Sequence, residues 1–111
     1  MLKSSLFVLD WKPEECYNPI SDIVDLEISS EVPDTIDRFS GIILHSYAFA
    51  VIENMIKEAK KFNLPLILQT GNKKLVQANK DFLEDNNLMY NNVCYVRSYD
   101  DLFVKVREIF G

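Results

Sequence analysis

Short apolar runs alternate with amphipathic stretches along the chain. Ser5-Leu6-Phe7-Val8-Leu9 is closed by Asp10 and then by Trp11-Lys12-Pro13, the pattern of a strand buried on both faces and ending at a loop. Asp22 to Ile28 alternates instead, with Ile23, Val24, Leu26 and Ile28 apolar and Asp25 and Glu27 polar, which predicts a second strand nearer a sheet edge. Gly41-Ile42-Ile43-Leu44-His45 predicts a third, buried strand. Leu64-Pro65-Leu66-Ile67-Leu68-Gln69-Thr70 predicts a fourth, its proline near the start where proline is tolerated, and Val93-Cys94-Tyr95-Val96 a fifth.

Helical spacing fills the intervals. Ala48, Ile52, Met55, Ile56, Ala59 and Phe62 recur on one face of a helix over 48–62 that Asn63 stops. A helix from Lys73 to Glu84 is expected to turn Leu75, Ala78, Phe82 and Leu83 inward, with Asp85-Asn86-Asn87 ending it. Ser98, with Asp101 three residues on, caps a last helix from Tyr99 to Phe110 that should bury Leu102, Phe103, Val106, Ile109 and Phe110. The two early connections are short. One has room for a brief helix opened by Pro13, and the other for a brief helix through Ile36 to Phe39 behind Ser30 and Pro33.

Strands and helices that alternate in this way predict one three-layer α/β domain over 1–111, with a five-stranded parallel sheet in the order 2-1-3-4-5. The chain of 111 residues, 48% apolar and 26% charged, suits one soluble core. Its apolar runs are too short to cross a bilayer, and Met1 to Ser4 lead straight into a strand without a cleavage site, so the cytoplasm is the expected compartment. Cys16 and Cys94 are expected to be free. A net charge of −5 with dispersed lysines argues against nucleic-acid binding.

In open parallel sheets, ligands bind beyond the carboxyl ends of the strands where strand order reverses. That rule selects Asp10, His45, Ser46, Thr70 and Arg97 as one rim, a candidate pocket for a ligand or anion. His45, the only histidine, has the pKa range of a general base. A lone strand-end histidine more often satisfies a neighbour such as Asp10, and nothing supplies a second catalytic group. Three glycines, at 41, 71 and 111, allow neither a phosphate loop nor a nucleophile elbow around Ser46.

The segments Leu6 to Asp10, Leu64 to Thr70 and Val96 to Leu102, with the ending Leu102 to Phe110, resemble the first, fourth and fifth strand regions and the last helix of response-regulator receivers, which have a flavodoxin-like fold. The resemblance implies roles for the rim. Asp10 would be one member of an acidic pair for Mg²⁺, but Trp11 stands where the second acid is expected. His45 or Ser46 stands in place of the phospho-acceptor aspartate and cannot form an acyl phosphate. Thr70 matches the hydroxyl position, while Arg97 and Ser98 replace the lysine and proline, and arginine brings a planar fork in place of a point charge.

Two functions follow as expectations. The first is a non-enzymatic signalling or interaction module, a pseudo-receiver not phosphorylated on aspartate. Such a module would meet a protein partner or a second copy through the last two helices and fifth strand, where Val76, Tyr95 and Val104 are left over from the core faces. The second is a small enzyme or phosphocarrier using His45 with Asp10, Thr70 and Arg97. Neither a cofactor nor a membrane is expected to take part, and Mg²⁺ would have only Asp10 to hold it.

Overall fold

A computed structural model describes residues 3–10, 17–45, 53–69 and 73–111. The strands are β1 (Ser5–Leu9), β2 (Asp25–Ser29), β3 (Gly41–His45), β4 (Leu66–Gln69) and β5 (Val93–Val96). The helices are α1 (Asn18–Ser21), α2 (Glu53–Lys61), α3 (Lys73–Asp85) and α4 (Tyr99–Phe110). All strand pairs are parallel and the order is β2-β1-β3-β4-β5, a flavodoxin-like α/β arrangement. β2 and β5 are the edges.

The two faces of the sheet feed two cores. Phe7, Leu9, Ile42, Leu44, Leu66 and Leu68 face one side, under Met55, Ile56 and Ala59 of α2, Leu83 of α3 and two loop residues, Ile36 and Phe39. Leu6, Val8, Ile43, Ile67 and Val96 face the other, under Tyr17, Ile20 and Val24 and under Leu102 and Val106 of α4. Each fully buried aliphatic side chain contributes about 1.5–3 kcal/mol, so the central strands, apolar at successive positions, are secured from both sides.

The helix ends have identifiable causes. Ser98 Oγ accepts the Asp101 N–H at 3.1 Å, capping α4 as its sequence predicts. α2 and α3 both end on an asparagine in the left-handed region, Asn63 (φ 53°) and Asn87 (φ 56°). The N–H of the next residue, Leu64 or Leu88, returns to the carbonyl of Ala59 or Leu83, closing the last turn.

Four expectations are corrected. β2 begins at Asp25, because the backbone N–H groups of Ile23 and Val24 bond Ile20 and close the turn after α1. No helix forms between Ser30 and Ser40; Ile36 and Phe39 are buried from a loop whose Phe39 N–H bonds the Ile36 carbonyl. On α3, Leu83 is buried and Phe82 half-buried as expected, but the rest of the inward stripe is turned by one residue: Asn79 is buried and Val76 half-buried, whereas Leu75 is 45% exposed and Ala78 is exposed. Phe62 and Ile109, expected inward, are 46% and 41% exposed. Pro13, Cys16, Ala48 and Ile52 lie outside the described residues. Cys94 is free and half-buried, and burial pushes its thiol pKa up.

Candidate functional site

Asp10 follows β1 at the carboxyl rim, where strand order reverses between β1 and β3. Its N–H bonds the Ser29 carbonyl at 3.0 Å, which holds it in line with the sheet, and it is 2% exposed. The Tyr17 hydroxyl donates to Asp10 Oδ2 at 2.8 Å. Tyr17 is itself buried, on the chain just before α1, and its ring meets Tyr99 of α4 edge-on with centroids 5.5 Å apart. Burial first, then the hydrogen bond to Asp10, pushes the Tyr17 hydroxyl far above the ordinary tyrosine pKa, so it stays a donor.

Gln69 ends β4 on the same side of the sheet as Ile67 and pairs in register with His45 and Val96. It is 3% exposed, and its Oε1 has no hydrogen-bond partner among the described residues. Arg97, between β5 and the cap of α4, is solvent-exposed and makes no ion pair among the described residues.

Of the five rim residues selected from the sequence, the structure therefore joins Asp10 to Tyr17 and leaves Arg97 in solvent. Ser46, Thr70 and the side chain of His45 lie outside the described residues. Tyr17, Tyr99 and Gln69 were missed. A tyrosine seven positions past a strand-end aspartate carries no periodic signal, and only the fold brings it back.

Mg²⁺ keeps a nearly octahedral shell with several waters. A carboxylate buried to this degree, already accepting a phenol hydroxyl, does not fit as its ligand. Among the described residues no group of three or more His, Cys, Asp or Glu side chains is arranged to hold a metal ion.

The proposed partner residues do not share one face. Val104 on α4 is 53% exposed, as expected. Val76 is half-buried, a correction that follows from the rotation of α3, and Leu75 takes its place in solvent. Tyr95 is half-buried on the α3 side, with Lys80 Nζ 5.2 Å from its ring centroid. Its hydroxyl lacks a partner among the described residues, and burial aided by Glu84 pushes its pKa up to about 12.

Two concavities among the described residues lie elsewhere, along β2. One of 490 Å³ is lined by Phe7, Glu27, Ser29, Glu31, Asp34 and Arg38 among others, and one of 410 Å³ by Asp25, Glu27 and Phe39 among others. Both lie where the connection from β2 to β3 carries no helix. Arg38 crosses them in a two-pronged pair with Glu27, at 3.1 and 2.9 Å.

No helix among the described residues is long and apolar enough to cross a membrane. In comparison with known proteins, no family model, no curated protein and no solved structure matches the chain.

Proposed function

We propose that the chain is a non-enzymatic interaction module of signalling type, a receiver-like frame that works by protein contact and not by phosphoryl transfer to aspartate. The observation that carries this reading is the bond between Tyr17 and Asp10. The one acidic side chain expected at the rim is taken into the core as a hydrogen-bond acceptor and is 2% exposed. A phosphoryl or metal site needs that carboxylate open to solvent and ligand.

Arg97, the expected anion holder, is exposed and makes no ion pair among the described residues. The exposed apolar side chains Leu75, Val104 and Ile109, on the two helices that flank β5, offer material for self-association.

An amide NMR titration with Mg²⁺ and then beryllofluoride tests the chemistry. No saturable shifts at Asp10 or Arg97 are expected, and saturable shifts there would overturn the reading. Light scattering over a concentration series tests the contact. A mass that rises with concentration, and falls back in Leu75→Lys/Val104→Lys, is expected; a strict monomer at every concentration removes self-association.

A further inference from the structure

β2 is an edge strand whose outer side is open among the described residues. The Asp25 N–H bonds the Ser4 carbonyl and the Asp10 N–H bonds the Ser29 carbonyl, so Asp25 and Ser29 direct their backbone groups toward β1. With the period of two of a strand, Glu27 does the same, and the N–H and C=O of Leu26 and Ile28 point away from the sheet. Among the described residues, nothing bonds those four groups.

The surroundings of this edge are strongly acidic. Between Tyr17 and His45 stand Asp22, Asp25, Glu27, Glu31, Asp34 and Asp37, against Arg38 alone. That balance equals the whole chain's net charge of −5, so the remaining residues are neutral in sum. All six acids are exposed. Asp25 and Glu27 project from the strand itself, and Glu31 and Asp34 line the groove of 490 Å³ beside it, whose floor includes Phe7.

We infer that β2 is a docking edge for an extended, basic segment of a partner protein, which adds to the sheet as a sixth strand. Leu26 and Ile28 would bond its backbone. Its Lys or Arg side chains at alternate positions would lie beside Asp25 and Glu27 and over the groove, and its apolar residues between them would continue the opposite face, beside Leu26 and Ile28. A second copy of this chain is the wrong occupant, because two such edges would bring like charges face to face. Charge therefore does two things here: it keeps the edge from pairing with itself, and it selects a cationic strand. This inference rests on the interaction reading and adds a partner chemistry to it.

The test is an amide NMR titration of the full chain with a synthetic peptide of alternating lysine and valine, and with its glutamate-for-lysine counterpart. Saturable shifts confined to Asp25–Ser29 and the loop to Asp34 are expected with the basic peptide alone, weakening as salt is added. Asp25→Lys/Glu31→Lys, which changes two exposed side chains, should bind it about tenfold or more weakly. Leu26→Pro removes an outward N–H that the fold does not use and should also block binding. Equal binding of both peptides, shifts at Val93–Val96 in place of β2, or no shifts at all would each overturn the inference. The concentration series in light scattering is independent of these results, so a failed titration beside a reversible dimer removes this partner and leaves the interaction reading standing.

Discussion

The Tyr17 hydroxyl and the Asp10 carboxylate stand 2.8 Å apart with both side chains almost wholly buried, one at the end of β1 and the other at the entrance to α1. The bond joins the sheet's carboxyl rim to the short first helix. Tyr17→Phe keeps the ring against Tyr99 but takes one donor from a buried acceptor. It should cost about 1–3 kcal/mol in urea unfolding. A loss under about 0.5 kcal/mol would mean that Asp10 finds another donor at no cost.

Alkaline pH should unfold the protein early. Tyr17, Tyr90 and Tyr95 all have folded-state pKa values above the ordinary 10.0, chiefly through burial, with Tyr95 at about 12. A raised tyrosine pKa means that the unfolded chain releases its proton first. The stability tied to these protonated phenols is thus complete below about pH 10 and is lost as pH rises through the folded values. Melting temperatures measured from about pH 9 to 12 should fall steeply above 10. A flat profile would place these hydroxyls in water.

Gly41 is the position where β3 passes under the end of α4. A Cβ there would lie 2.8 Å from Phe110 Cζ and 3.1 Å from Leu6 Cδ2. Gly41→Val should lose about 1–3 kcal/mol by overpacking. In a Phe110→Ala background the ring is gone, and the same substitution should cost markedly less. Additive losses would show that the close approach carries no weight.

The rotation of α3 makes a paired prediction. Leu83 is fully buried and Leu75 is 45% exposed. Leu83→Ala should cost about 2–5 kcal/mol, and Leu75→Lys should change stability by less than about 0.5 kcal/mol. The reverse ranking would turn Leu75 inward in place of Leu83.

Much of the fold was legible because four of the strands are compact apolar runs, β2 alternates, and each later helix has an end that chemistry explains: the stops at Asn63 and Asn87 and the cap at Ser98. The facing of α3 was less legible. Leu75, Ala78 and Phe82 form one stripe, and Val76, Asn79 and Leu83 form another a single residue away. Periodicity alone favours the more apolar of the two, whereas packing under the sheet selected the stripe containing Asn79. The connection from Ser30 to Ser40 carried a cap, acids and a proline, all helix-opening signals. Burial of Ile36 and Phe39 over Phe7 outweighed them, the Phe7 and Phe39 rings lying 5.4 Å apart.

The candidate site was the least legible part. Asp10 was found because strand ends follow from the apolar pattern. Its partner was not, because Tyr17 reaches it across a connection that has no period to read. Gln69 stood next to Thr70, which held a place in the receiver comparison, and its own burial could be seen only once β4 lay between β3 and β5.

The missing helix between β2 and β3 has a consequence for cooperativity. From β3 onward, neighbouring strands in the sheet are also neighbours in sequence, each crossover carries a helix of nine or more residues, and structure can accumulate locally. β2 pairs with its sequence neighbour β1, but among the described residues the crossover between them carries only the four-residue α1, and the loop after β2 carries no helix, so both depend on a sheet already assembled. This corner should therefore exchange its amide protons fastest, opening as a small unit of its own while β3, β4 and α4 remain closed.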